Sequence, residues 1–254
     1  MNCIIFITVR TASKRLPKKA LLRIRNKPLI KIIIEQITTS KTAKKIIVCT
    51  TDKKSDDKLT EYLQGNNVEV FRGDNLDILN RLYMAAKKYA AKYFVVIEGD
   101  TLFCDSSLID ETCKKLRQTN YEFLEWENLP FGVSPIGIKT DKLAILMKNK
   151  ATKNTETGWG NFIKESGLFK VGRLKPHNKK LMRPEIRLSI DYREDFELAK
   201  KIYESLPVPS SLIDIIMLLN KNPQWLKINE AAQKKYERNL AKNMKRVVMK
   251  KRMI

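Results

Sequence analysis

Apolar residues along this chain fall in short, dense runs separated by longer amphipathic stretches. The runs at 4–9, 46–50 and 93–97 are five or six residues long and almost wholly apolar. That length and uniformity predict strands buried on both faces rather than strands with one wet face. A helix is expected after the first run, from Pro28 through LIKIIIEQITTS, because proline suits the first turn. A second helix is expected over 55–64, with Ser55 as N-cap, Asp56 and Asp57 in the first turn and Gly65 as its stop. Residues 68–71 alternate as a short strand. Residues 75–89 have helical periodicity, with Leu76, Leu79, Tyr83 and Ala86 on one face. Asp105 or Ser106 can cap a further helix to about 118. Strands alternating with helices through short links predict an α/β fold, a three-layer, mostly parallel, doubly wound sheet with right-handed crossovers.

Past residue 120 the pattern loosens. Residues 121–126 read as a strand and 131–139 as one interrupted by glycine and proline. A helix is expected over 141–150, a strand over 186–190 and a helix over 194–206. Ser210 or Ser211 caps a last helix to 219. The polar, irregular stretch 153–180 is expected to shape a substrate site or a dimer contact. Residues 231–254 carry nine Lys or Arg against Glu237 alone. We divide the chain into a domain over 1–230 and a basic helix or tail over 231–254. The tail reads as a solvated terminal helix with a frayed end; a membrane-surface or nucleic-acid role is the alternative.

Charge and composition narrow the chemistry. No apolar run approaches the 18 or so residues of a membrane span, and Arg10 interrupts the first run too early for a signal peptide. A cytoplasmic protein is expected. Cys3, Cys49, Cys104 and Cys113 lack metal-ligand spacing and read as buried or half-buried thiols in a reducing compartment. His177 is the single histidine, so a histidine triad or histidine zinc site lacks material. The net charge of +22 favours anionic partners, or reflects lysines scattered on a solvated surface.

The sharpest feature is the loop after the first strand. It carries Arg10, Lys14, Arg15, Lys18 and Lys19, and no acid occurs between Asn2 and Ile34. Open α/β sheets place anionic ligands where a buried strand ends. Cations there can neutralise a polyphosphate and loop amides can cradle it. A solvated basic loop or a nucleic-acid patch is the competing reading, although no interleaved aromatics or recognition module support nucleic acid.

Residues 10–19, RTASKRLPKK, resemble the signature R-x-G-S-x-R-L-P-G-K of the cytidylyltransferase family, which includes the CMP-sialic acid and CMP-Kdo synthetases and the spore-coat polysaccharide type. Ala12 and Lys18 replace glycines of that signature. Ala12 is expected to matter more, because glycine there lets backbone approach phosphate. The likeness is collinear to about Asn229. VFRGD at 70–74 and DILNRLY at 77–83 resemble V-F-R-G … D-V-L-x-R-Y. IEGD at 97–100 resembles I-T-G-D, and RLSID at 187–191 resembles R-L-T-V-D. Residues 130–136 lack the acids of the family's P-D-G-x-D-x-E, and 155–159 lack its histidine. Both departures bear on the acceptor sugar.

The resemblance implies a Rossmann-like nucleotide-diphospho-sugar transferase fold, a homodimer, and a reaction in which an acidic sugar's hydroxyl attacks the α-phosphate of CTP. Arg10 and Lys19 are the implied catalytic cations. Arg10, Ser13, Arg15, Lys19, Arg72 and Arg81 are the implied nucleotide contacts, with structural ion pairing the alternative for Arg72 and Arg81. Asp100 and Asp191 are the implied Mg²⁺ ligands, with helix or turn capping the alternative. A glycosyltransferase of related architecture is the second reading, for which Glu98-Gly99-Asp100 is only a loose D-x-D.

Overall fold

The computed structural model describes residues 3–43, 45–244 and 248–250. Strand β1 (Ile4–Thr8) leads into the basic loop. A two-residue antiparallel ribbon, β2 (Arg23–Ile24) and β3 (Lys27–Pro28), precedes α1 (Leu29–Ile37). Then follow β4 (Lys45–Thr51), α2 (Asp57–Gln64), β5 (Glu69–Gly73), α3 (Ile78–Lys88), β6 (Tyr93–Glu98) and α4 (Ser106–Gln118). The second half holds β7 (Phe123–Trp126), β8 (Ile136–Lys139), α5 (Thr140–Asn149), α6 (Trp159–Glu165) and β9 (Val171–Leu174). It ends in α7 (Arg193–Ser205), α8 (Leu212–Lys221) and α9 (Glu230–Asn243).

The main sheet has seven strands in the order β5-β4-β1-β6-β8-β7-β9, and only β8 runs against the rest. β1 lies between β4 and β6, and all five of its residues are buried. Its side chains alternate between two cores. Ile5 and Ile7 join residues of α1, α2, α4, α7 and α8, while Ile4 and Phe6 join residues of α3, α5 and α6. Helices on both faces of a mostly parallel sheet are the expected three-layer, Rossmann-like arrangement. Among the described residues no helix is long and apolar enough to cross a membrane.

Several local expectations differ from the structure. Ser55 does not cap α2. It sits in a single 3₁₀ turn over Lys54–Asp56, and its carbonyl accepts from Thr11 Oγ1 at 2.8 Å. Gly65 ends α2 with φ −62°, so glycine's left-handed freedom is not used there. Leu76 is 50% exposed, because α3 starts only at Ile78, where Asp77 caps it by accepting from Asn80 N–H. The buried stripe of α3 is Ile78, Leu79, Leu82, Ala85 and Ala86. Asp105 and Ser211 are the caps of α4 and α8.

The segment 186–190 is not a strand of the sheet. It is extended, and its pairing is one isolated bridge between Arg187 and Phe131. Ile190 N–H then donates to Asp100 O at 3.1 Å. An apolar–polar alternation without a neighbouring strand explains the misreading: all five residues are buried, with Ile186, Leu188 and Ile190 in the hydrophobic core, although the backbone partners are loops. Gly132 makes this passage possible. It has φ +89°, and a Cβ there would collide with the Ser189 backbone.

Cys3 and Cys113 form a disulfide with Cα atoms 6.1 Å apart, where free thiols were expected. The fold brings the start of β1 against α4, a proximity that a separation of 110 residues conceals. Cys49 and Cys104 are buried free thiols. The frayed end expected for the tail falls partly on 245–247 and 251–254, which lie outside the described residues. Residues 248–250 run beside the end of α5: Ala151 N–H donates to Val248 O at 2.8 Å and Lys250 N–H to Asn149 O at 2.7 Å.

Candidate active site

The basic loop is anchored at both ends. At its start, the buried Asp56 carboxylate accepts from Thr11 N–H at 2.8 Å, from Thr11 Oγ1 at 2.6 Å and from Thr50 Oγ1 at 3.0 Å, and also from Thr51 Oγ1. Burial works against its charge, but these donors prevail and hold Asp56 below the usual carboxylate range. At the far end Leu16 is buried, and Ser13 Oγ accepts from Leu16 N–H at 3.3 Å, tightening the turn. Lys18, in place of the family's second glycine, takes the left-handed conformation with φ 55°. Ala12, in place of the first, does not, so the strained substitution is Lys18 rather than Ala12.

The loop delivers Arg15 and Lys19 to two carboxylates. Asp100 follows β6, where Gly99 N–H donates to Thr8 O at 2.8 Å and a Cβ on Gly99 would meet Val9 Cγ2 at 2.7 Å. This close approach of β1 and β6 sets Asp100 beside the loop. Asp191 arrives from the extended segment. Lys19 Nζ lies 2.8 Å from Asp100 Oδ2, 2.9 Å from Ile190 O and 3.7 Å from Asp191 Oδ1. Those two carboxylate oxygens are therefore no farther apart than 2.8 and 3.7 Å added together.

Arg15 Nη2 contacts Asp191 Oδ1 at 2.5 Å, and Arg187 Nη2 donates to Asp191 Oδ2 at 2.9 Å. Ser189 Oγ also donates to Asp191 Oδ2 at 2.9 Å. Arg187 and Asp195 are joined by a second, buried ion pair at 2.9 Å. Burial opposes the charge on Asp191, yet Lys19 and Arg15 bring it down to about 2. Burial likewise opposes the charge on Lys19, but Asp100 and Asp191 raise its pKa. Glu98, two residues before Asp100, accepts from Trp159 Nε1 at 2.6 Å. Burial, then the neighbouring Asp100, pushes Glu98 up to about 7.

Arg10 faces a different group. Its Nε lies 3.4 Å from Glu156 Oε2, whose other oxygen accepts from Arg81 Nη2 at 2.9 Å. Arg81 is buried, and also donates to Asp74 O. Asp77, the cap of α3, accepts from Thr155 Oγ1 at 2.8 Å and pairs with the buried Lys150. Arg72, at the end of β5, pairs with Asp57 at 2.7 Å and donates to Thr51 O at 3.0 Å and Lys53 O at 2.8 Å. The structure thus gathers Arg15, Lys19, Asp100 and Asp191 into one cluster. Arg10 and Arg81 meet through Glu156, and Arg72 is held against α2.

Sequence reading missed four members of the site. Arg187 stood inside the RLSID motif and Glu98 inside IEGD, so both had a signal. Tyr192 and Tyr236 had none: their rings lie 5.6 and 5.9 Å from the Arg15 guanidinium.

Among the described residues no group of three or more His, Cys, Asp or Glu is arranged to hold a metal. The donor pair Asp100 and Asp191 nonetheless fits a hard divalent cation. Mg²⁺ takes oxygen ligands, keeps several waters and is commonly held by one or two carboxylates.

The chain is similar to known proteins over most of its length. An uncharacterized protein of Methanocaldococcus jannaschii is 34% identical over 242 residues, covering 94% of this chain and 99% of that protein. The spore coat polysaccharide biosynthesis protein SpsF of Bacillus subtilis is 26% identical over 240 residues, covering 91% and 100%. The solved structure of a cytidylyltransferase from Leptospira borgpetersenii superposes with a TM-score of 0.80 at 27% identity, covering 89% of this chain and 97% of that one. A family model described as cytidylyltransferase matches residues 4–224. A match over most of the chain makes it a member of the cytidylyltransferase family, and so a nucleotidyltransferase.

Proposed function

We propose that this enzyme transfers the cytidylyl group of CTP to a hydroxyl of an acidic sugar, with Mg²⁺ as its metal. The observation that carries the reading is the meeting of Arg15 and Lys19 with Asp100 and Asp191 at the ends of β1 and β6. Cations for a triphosphate and carboxylates for a hard metal are what nucleotidyl transfer needs.

In this reading Lys19 and Arg15 bind the triphosphate and spread its charge, with Arg10 beside them and Ser13 shaping the turn. Arg72 and Arg81 are the remaining implied nucleotide contacts, each held by an ion pair within the fold, to Asp57 and Glu156. Asp100 and Asp191 hold the metal, which when bound neutralises the phosphate oxygens. The sugar hydroxyl oxygen bonds to the α-phosphorus as the α–β phosphoanhydride bond breaks. Pyrophosphate leaves with the bonding electrons, and the hydroxyl proton passes to solvent. The net charge of +22 favours an acidic acceptor, in keeping with the sugar acids used by synthetases this chain resembles. Cytoplasmic location and a homodimer belong to the same reading; sedimentation at twice the chain mass would register the dimer.

The test is pyrophosphate release with each nucleoside triphosphate, Mg²⁺ and a panel of 3-deoxy-ulosonic acids alongside neutral sugars. Release with CTP and an acid alone is expected. Release of free nucleotide from a nucleotide sugar, without pyrophosphate production, would instead favour a glycosyltransferase.

A further inference from the structure

The family match ends at residue 224, yet one of the two rings on the loop arginine comes from beyond it. The segment is tied to the site from its first residue. Asn229 Nδ2 donates to Arg187 O at 3.1 Å and to Asp195 Oδ1 at 2.9 Å. One turn later Gln233 Oε1 accepts from Arg187 Nη1 at 2.9 Å, and Lys235 Nζ reaches Glu194 at 2.6 Å. Tyr236 follows. Its ring centre lies 5.2 Å from the Arg187 guanidinium, 5.9 Å from that of Arg15 and 5.0 Å from the Phe131 ring. Tyr192 holds the same two guanidiniums at 5.9 and 5.6 Å. Farther on, Asn161 Nδ2 contacts Met244 Sδ at 2.9 Å, and 248–250 run beside α5.

Two arginines therefore grip the two oxygens of Asp191 and share two tyrosine rings. Arg187 is buried and paired twice. Arg15 is 36% exposed at its side chain, with Asp191 as its ion-pair partner. A guanidinium on a long stem loses rotamer freedom when it takes up a ligand. Ring faces on that guanidinium remove the freedom beforehand, and planar stacking suits arginine in particular.

We propose that α9 is the roof of the phosphate site and that Tyr236 is a positioning residue: its ring presets the Arg15 guanidinium to receive the triphosphate of CTP. The inference rests on the reading of Arg15 as a triphosphate ligand. The ring face, rather than the hydroxyl, carries the effect, so the basic helix is part of the nucleotide site although the family match stops before it.

The test is a double-mutant cycle of Tyr236 and Arg15, read by calorimetric binding of α,β-methylene-CTP and by KM and kcat for CTP, with melting temperatures alongside. Tyr236→Phe should bind the analogue like wild type. Tyr236→Leu should weaken binding about three- to tenfold and raise KM with kcat nearly kept. In an Arg15→Ala background it should add almost nothing. Tyr236→Met, which keeps apolar bulk against Phe131, replaces the leucine variant if that fails to fold. Wild-type binding in Tyr236→Leu, an equal loss in the Arg15→Ala background, or a Phe variant as weak as Leu would each overturn the proposal alone. Failure of the wild-type protein to bind the analogue would overturn the phosphate reading, and this proposal with it.

Discussion

Two ionic clusters flank the basic loop, and they differ in what their charges can do. Around Asp191, the cations Arg15, Lys19 and Arg187 face the acids Asp100, Asp191 and Asp195, with Glu98 close by. Two members reach solvent: the side chains of Arg15 and Asp100 are 36% and 24% exposed. Around Glu156, Arg10 and Arg81 share one carboxylate, and Asp77 pairs with Lys150. There the side chains of Arg81, Asp77, Lys150 and Glu156 are 10% exposed or less. A buried pair with no surplus partner is costly to break, because the charge left behind stays desolvated. A half-open cluster whose cations share a carboxylate can exchange an internal partner for a ligand. The Glu156 group therefore acts as a bolt that fixes residues 154–158 on α3, and the Asp191 group is the one that the proposed nucleotide and metal would engage.

The largest effects should come from the carboxylates of the open cluster. Asp100→Asn is expected to lower kcat at least about a hundredfold, more than a lost outer partner of a metal costs. Its melting temperature should stay near wild type, since Lys19 keeps Ile190 O and Asp191 as partners. Asp191→Asn should cost activity as severely and stability as well, because Arg15 and Arg187 both lose a charged partner. An acid titration sharpens this point. The folded-state pKa of Asp191 is depressed to about 2, so its contribution is full above the ordinary value near 3.9 and is lost as pH falls through about 2. Wild type should therefore lose stability over that window relative to Asp191→Asn. Equal melting temperatures of Asp100→Asn and Asp191→Asn across that range would erase the distinction drawn here.

Next in size are the cations of the same cluster. Lys19→Ala and Arg15→Ala should each reduce kcat/KM for CTP roughly tenfold to a hundredfold, the scale of a charge-assisted phosphate contact. Arg15→Lys should rescue only in part, because lysine cannot present a planar fork. Wild-type kinetics in both alanine variants would reduce the loop to a solvated surface.

The bolt should respond in the opposite sense. Glu156→Gln leaves Arg81 buried without its anion, and a loss of about 3 kcal/mol in stability is expected from chemical denaturation. Turnover measured well below the transition should fall less than in Asp100→Asn. A stable Glu156→Gln enzyme with abolished turnover would move Glu156 into the chemistry and end the comparison.

The smallest effect is expected at the end of the chain. Removing Lys242–Ile254 leaves Gln233 and Tyr236 in place. It deletes two backbone hydrogen bonds to 149–151 and the Val248 N–H donation to Thr152 Oγ1, each worth about 0.5–1.5 kcal/mol. Thermal stability should drop modestly while kcat and KM hold. A tenfold fall in turnover with folding intact would extend the site to the tail.

Apart from the β2–β3 ribbon, the order and type of the elements from β1 to α4 were legible without coordinates. The reason is local: the runs at 4–7 and 94–97 are apolar and buried at every position, and only a strand covered on both faces buries every position. The cationic loop was legible for a related reason, since charge next to a buried strand end is a short-range pattern. The segment 186–190 reads as a strand because alternating apolar and polar residues are what a strand shows in sequence, whereas strand identity also requires a neighbour, and here the neighbours are Phe131 and Asp100 O. Glycine positions divided in the same way. The signature marked both Ala12 and Lys18, but backbone geometry alone shows that Lys18 bears the left-handed conformation.

What the sequence determined by itself, then, is whatever neighbouring residues specify together: buried strands, the helices between them, the cationic loop and an ordered set of motifs. What only the tertiary structure decided is which distant residues meet. Asp191 reaches Lys19 through a loop that Gly132 lets pass, Arg10 and Arg81 share Glu156, Cys3 joins Cys113, and Tyr236 lies over Arg15 from a helix beyond the family match. Side-chain ion pairs and ring contacts act over a few ångströms in space and impose no spacing along the chain, so they leave no periodic trace in it.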